Sequence, residues 1–160
     1  MEAWQNFLVA QIGASAALLG LLFVGVSLNL TKILSLPMLP TRALSALMLL
    51  LVVLVVALLL LIPGQPVRLL AVQVMAAGLV VSALALVVSL QSRRTIAVSS
   101  WLIVSVNVLL SALATLPYLV AAVMLFGADL GALYWIAAAM VLSVIKAVSD
   151  AWVLLVEINR

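Results

Sequence analysis

The sequence contains no cysteine and no histidine. Their absence excludes disulfide bonds and thiol chemistry, and removes the usual soft-metal ligands and the usual proton carrier of acid–base catalysis. Charge is scarce too, since only 7% of the 160 residues are charged. The basic residues are scattered rather than clustered, which argues against a nucleic-acid partner. We therefore expect no metal, no other cofactor and no nucleic-acid partner.

Apolar residues, in contrast, make up 69% of the chain. A soluble domain has roughly 45–50% apolar residues and about 25% charged residues. Seven basic and four acidic side chains are too few to cover a water-exposed surface. The lipid bilayer is therefore the predicted surroundings of this chain. No Lys or Arg precedes the first apolar run, so we expect a retained helix there rather than a cleaved signal peptide.

Five segments reach the length of about 20 predominantly apolar residues that a membrane-spanning helix needs. The sequence therefore predicts an all-α fold, a polytopic bundle of five transmembrane helices in a single domain over residues 1–160. The second segment has no polar residue after Ala46, and we expect it to face lipid at the edge of the bundle. The predicted helices cover about residues 7–30, 43–62, 69–90, 96–126 and 131–156.

Basic residues near the helix ends predict the orientation, because cytoplasmic loops carry an excess of Lys and Arg. Five basic residues flank one predicted side of the membrane, and Arg68 alone flanks the other. This asymmetry predicts an N-terminus outside the cell and a C-terminus in the cytoplasm. Among the five basic residues, Arg93 and Arg94 have two possible roles. They either only set the topology or also bind lipid headgroups. The five residues are Lys32, Arg42, Arg93, Arg94 and Arg160.

Small residues recur at helical spacing on the first and third predicted helices. Helices in lipid associate by close contact of small residues, because lipid is as apolar as leucine. We therefore expect both stripes to face other helices. The residues are Gly13, Gly20 and Ser27 on the first helix, and Gly78 and Ser82 on the third.

A polar seam marks the last helix, where Ser143, Lys146, Asp150 and Glu157 share one face. Lys146 and Asp150 are one turn apart and are predicted to pair. Placing an ionisable residue inside a bilayer costs at least about 2.5–3.5 kcal/mol, and a chain rarely keeps such a residue without a use. Lys146 and Asp150 are therefore the first functional candidates. A purely structural ion pair is the alternative. Other helices add polar residues on matching faces: Asn107, Ser111, Thr115 and Asn29.

An enzyme is not expected. A membrane aspartyl protease needs two carboxylates close together, whereas Asp150 and Glu157 are seven residues, or about 10 Å, apart on a helix. Without His or Cys, a serine-type site would need Lys146 as its base, and no serine lies in a nucleophile motif. The sequence therefore predicts no catalytic residue.

Two stretches resemble a known family. Residues 22–30 (LFVGVSLNL) and 150–158 (DAWVLLVEI), together with the turn at residues 63–65 (PGQ), are similar to a family of small multispan bacterial membrane proteins. Some of its members are labelled "modulator of FtsH protease". The resemblance implies a bacterial inner-membrane location and a regulatory role, but it supplies no site residue.

Two functions are compatible with these patterns. The favoured one is a homo-oligomeric channel for an ion or a small polar solute, lined by the polar seam and controlled by Lys146 and Asp150. The alternative is a non-conducting accessory protein that binds a membrane partner, such as a protease or a transporter, through its small-residue faces.

Overall fold

The computed structural model describes the backbone of residues 2–36, 39–95, 101–129 and 131–158. Within these residues there are six helices and no strand, which confirms the all-α prediction. The helices are α1 (Glu2–Leu28), α2 (Leu30–Ser35), α3 (Leu39–Leu60), α4 (Val67–Thr95), α5 (Trp101–Phe126) and α6 (Ala132–Ile158).

Five of these helices are long and apolar enough to cross a membrane, and α2, with six residues, is not. The protein is therefore a multi-pass integral membrane protein. The ends of the spans shift by a few residues from the predicted bounds, except that α5 ends at Phe126 as predicted. The helix α3 begins at Leu39 rather than at residue 43, with Pro40 in its first turn, where proline removes no helical hydrogen bond. The helix α5 continues through Pro117 up to Phe126.

One short turn joins α3 to α4, and another joins α5 to α6. In the turn between α3 and α4, Gly64 has a φ of +72°, a left-handed conformation that glycine adopts without steric cost. In the turn between α5 and α6, Ala128 has a φ of 58°, which is uncommon for a residue with a Cβ atom. There the side chain of Asp129 accepts a hydrogen bond of 2.8 Å from the backbone N–H of Gly131.

The helices α3, α4, α5 and α6 form a four-helix bundle. The helix α3 packs against α4 and α6, and α5 completes the bundle by packing against the same two helices. The turns after α3 and after α5 reverse the chain, and the start of α3 packs with the end of α6, so neighbouring helices in the bundle are antiparallel. The helix α1 lies outside the bundle and packs mainly against α3. Its first turn also reaches α6, where the rings of Trp4 and Tyr134 meet edge to face at 5.1 Å.

The central position of α3 contradicts the prediction that the second span faces lipid at the edge. In the most apolar 18-residue stretch of each helix, 44% of the residues are buried in α3 but only 11% in α1. The buried face of α3 consists of alanine, valine and leucine, and these residues suit lipid as well as a protein interior. A lack of polar residues therefore did not identify a lipid-facing helix.

The four-helix bundle has two halves of different character. The apolar half contains the ends of α3 and α5 and the starts of α4 and α6. The polar half contains the opposite ends, with Thr115, Ser143, Lys146 and Asp150 buried inside it. The core of the apolar half includes Val53, Val56, Ala57, Ala71, Val74, Tyr118, Ala121, Ala122, Ile136 and Met140.

Candidate functional site

The candidate site is centred on an ion pair inside the polar half. Lys146 and Asp150, one turn apart on α6, form a salt bridge between Nζ and Oδ2, as the sequence predicts. Lys146 is 3% exposed and Asp150 is 6% exposed, so the pair is removed from both lipid and bulk water. Lys146 therefore does not extend to the membrane surface. The two charges neutralise each other within one helix.

Hydroxyl groups around the pair are held mainly by backbone carbonyls. Ser143 on α6 donates a hydrogen bond of 3.3 Å to the carbonyl of Ala114 on α5 and so joins the two helices. Ser111 donates within its own helix to the carbonyl of Asn107 at 2.8 Å. Thr115 is 3.4 Å from the carbonyl of Ala112, which is longer than a usual O–H···O hydrogen bond.

A pocket of about 310 Å³ opens beside the ion pair, between α3, α5 and α6. Its polar lining consists of Arg42, Asn107, Lys146, Ser149 and Asp150. From the sequence, Arg42 is expected only to set the topology, and Ser149 is not among the predicted site residues. The contact between α3 and α6 brings Arg42 to the site, and no pattern in the sequence signals that contact.

The polar seam does not continue through the bundle. Ser45, Ser111 and Thr115 surround a cavity of about 10 Å³, close to the volume that holds one water molecule. Beyond this level lies Tyr118, which is fully buried, and its hydroxyl has no hydrogen-bond partner although Ser143 lies beside it. Among the described residues, the connected polar groups therefore end near the middle of the bundle, and Gln73 of α4 places one separate buried oxygen in the apolar half.

Two predicted members of the seam lie away from the pocket. Asn29, between α1 and α2, donates a hydrogen bond of 3.0 Å to the carbonyl of Gly25 in the last turn of α1. Glu157 is exposed near the end of α6. Neither side chain lines the pocket around Lys146. The structure therefore does not bring Asn29 and Glu157 together with Asp150 at the pocket.

The predicted packing residues also divide into two groups. A Cβ atom added to Gly78 would meet Cδ2 of Leu119 at 3.0 Å and Cβ of Tyr118 at 3.1 Å, so α4 and α5 approach closely there. Ser82, one turn later, is half-buried. By contrast, added Cβ atoms at Gly13 and Gly20 would meet no atom within 4 Å.

The stripe on α1 therefore does not pack within one copy of the chain. Ser27 is exposed like the two glycines, and the prediction that this stripe faces other helices is wrong for the single chain. Ser15 lies on another side of α1 and is fully buried. Arg93 and Arg94 belong to the last turn of α4, and their side chains lie outside the described part of the chain.

The fold and the site define a multi-pass membrane protein with a four-helix bundle, one additional helix and a half-buried charged pocket. Comparison with known proteins finds no matching family model, no matching curated protein and no matching solved structure. The resemblance to the bacterial family described above therefore stays a prediction, as do the N-outside orientation and the bacterial inner-membrane location.

Proposed function

We propose that this protein is a non-conducting membrane protein that binds a ligand at its polar half and a membrane partner at the exposed face of α1. The observation that carries this proposal is the packed core of the apolar half. Val53, Val56, Val74, Ile136 and Met140 are each no more than 1% exposed, and they fill the bundle between the pocket and the other end.

A closed apolar core of this kind opposes the passage of ions. Moving a bare charge into an apolar medium costs tens of kcal/mol unless polar groups replace its water. The polar half offers such groups, whereas the buried polar atoms that the structure describes in the apolar half are few, such as the hydroxyl of Tyr118 and the side-chain oxygen of Gln73. A conduit through a single chain would therefore need the apolar half to rearrange.

A conduit between copies of the chain has little support from the burial pattern. Such a path would be lined by residues that face outward from each copy. Ser143, Lys146 and Asp150 instead lie buried within the four-helix bundle. The outward faces of α6 carry large apolar residues, including Val141, Ile145 and Val148. The burial pattern favours the accessory role over the channel that the sequence analysis preferred.

The partner in this proposal is a membrane protein, such as a protease or a transporter, and self-association remains compatible with it. A regulatory role of this kind agrees with the label that some proteins of the resembling family carry. The exposed stripe of Gly13, Gly20 and Ser27 provides a face on which a partner helix has room to approach.

A flux assay in proteoliposomes tests the proposal. We expect no flux of Na⁺, K⁺, Cl⁻ or protons above that of protein-free vesicles, because the apolar half blocks the path. An added ionophore verifies that the assay detects flux. Ion flux by the wild type that changes in selectivity in the double variant Lys146→Met/Asp150→Leu would overturn the proposal and restore the channel hypothesis.

A further inference from the structure

The pocket beside Lys146 and Asp150 has an unbalanced charge. The lysine and the aspartate neutralise each other, whereas Arg42 has no ion-pair or hydrogen-bond partner among the residues that the structure describes. The ammonium group of Lys146 has three N–H donors, and its hydrogen bond to Asp150 uses one of them. The pocket therefore carries a net charge of about +1 and unused donors, which favours an anion.

The walls of the pocket are apolar although its polar groups are charged. The remaining lining residues are Val106 and Leu110 of α5 and Val153 of α6. A small soluble anion gains nothing from such walls, because it buries no apolar surface. An amphiphile, in contrast, places its charge against the polar groups and its hydrocarbon against the walls.

The position of the pocket along the helices also suits an amphiphile. Leu39 and Ala43 of α3 pack in one cluster with Leu154 of α6, so Arg42 lies at the level of the last turns of α6. Lys146 lies two turns deeper, about 12 Å from Leu154 along the helix. Arg42 is therefore at the mouth of the pocket near the end of the spanning helices, where the headgroups of a bilayer lie.

We propose that this pocket binds the phosphate group of an anionic phospholipid, with Arg42 as the main anchor. Its volume of about 310 Å³ lies at the lower end of the roughly 300–1,000 Å³ typical of small-molecule pockets, so it suits a headgroup rather than a whole lipid. Basic pockets between transmembrane helices are a known way of holding such headgroups. A zwitterionic lipid would add a second positive group beside Arg42 and Lys146 and should bind less tightly.

This inference rests on the proposed function only in treating the polar half as a binding site. Flux and lipid binding are separate measurements, so the failure of one is distinguishable from the failure of the other. A protein that conducts ions but binds anionic lipid would refute the proposed function alone. A protein that neither conducts nor prefers anionic lipid would refute this inference alone.

The test uses the full chain in a neutral detergent, titrated separately with short-chain phosphatidylglycerol and phosphatidylcholine, with native mass spectrometry to count bound lipids. We expect saturable binding of phosphatidylglycerol and weaker binding of phosphatidylcholine. Glycerol phosphate is the third ligand and separates the two possible sources of the phosphate. Binding of glycerol phosphate as tight as that of the lipid would overturn the lipid assignment in favour of a soluble anion.

The decisive variant is Arg42→Gln, with Arg68→Gln as its matched control. Both arginines lie in the first turn of a helix, but Arg68 is exposed at the opposite end of the bundle. We expect Arg42→Gln to weaken phosphatidylglycerol binding about fivefold and Arg68→Gln to leave it unchanged. Equal effects of the two changes, or equal binding of both lipids by the wild type, would overturn the proposal.

A second variant keeps the test decisive if Arg42→Gln does not fold. Asn107→Leu retains every charge but removes the amide that lines the pocket. We expect a few-fold loss of affinity for phosphatidylglycerol with little change for phosphatidylcholine. An unchanged affinity in this variant together with a misfolded Arg42→Gln protein would count against the site.

Discussion

The two halves of the four-helix bundle are built by the same helices but held together by different forces. In the apolar half, α3 to α6 meet through fully buried side chains such as Val56, Ala121 and Ile136. In the polar half, the helices enclose a salt bridge and an interhelical hydrogen bond from Ser143. The same four helices thus form a packed apolar core at one end and a charged pocket at the other.

The two halves should therefore lose stability in response to different kinds of substitution. Packing in lipid depends on close contact over many atoms, each worth little, so the apolar half should respond to added volume. A buried ion pair stabilises little as a whole but is costly to break. The polar half should therefore respond most strongly when a single charge is removed.

The largest effect is expected for Asp150→Leu. The change leaves Lys146 buried without its partner, and we expect the free energy of unfolding to fall by about 3–5 kcal/mol. Unfolding of the purified protein in mixed micelles with increasing dodecyl sulfate, followed by circular dichroism, measures the change.

The double variant Lys146→Met/Asp150→Leu is the control. It removes both charges, so its stability should be near or above that of the wild type. If the single and the double variant lose stability equally, the ion pair is not what makes the polar half sensitive. If Asp150→Leu loses almost nothing, water in the pocket already solvates Lys146.

An intermediate effect is expected for Gly78→Ala. The new methyl group would lie 3.1 Å from Cβ of Tyr118 and 3.0 Å from Cδ2 of Leu119, so these neighbours would have to give way by a few tenths of an ångström. We expect a loss of about 1–3 kcal/mol in the same unfolding measurement. Gly20→Ala is the matched control on α1, where an added Cβ atom meets nothing, and it should be neutral or slightly stabilising. A loss for Gly20→Ala as large as that for Gly78→Ala would contradict the described difference in packing.

The smallest effects are expected at the boundary between the halves. Ser143→Ala removes a hydrogen bond to the carbonyl of Ala114 and should cost about 0.6 kcal/mol, as such bonds do on average in membranes. Tyr118→Phe removes a hydroxyl without a partner and should leave stability unchanged or slightly raised. A loss for Tyr118→Phe larger than that for Ser143→Ala would mean that the polar half extends past Tyr118.

Much of the fold could be predicted from the sequence, because the bilayer dictates the length of a spanning helix. All five spans are present, and the turn at residues 63–65 lies between α3 and α4. The neighbours of each helix could not be predicted. Lipid and protein interior accept the same side chains, so the alanine and valine face of α3 gave no sign of its central position.

The site was predictable to the extent that polar residues are costly in a membrane. Lys146 and Asp150 pair as expected, and Ser143 and Thr115 are buried on facing helices. Arg42 could not be assigned to the site, because its part depends on which helices are neighbours. The prediction that Gly13 and Gly20 face another helix failed for a related reason. Small residues permit close packing, but they do not determine which helix packs there.

The order of the helices along the chain has a consequence for membrane insertion. Synthesis proceeds from the N-terminus, so α3, α4 and α5 enter the membrane before α6. The helix with the buried charges is thus the last to arrive, when the helices that line its pocket are already in place. It also packs against both α3 and α5, so its arrival closes the bundle. The helix α6, whose charged residues are costly in lipid, therefore spends little time in the membrane without the helices that surround these residues.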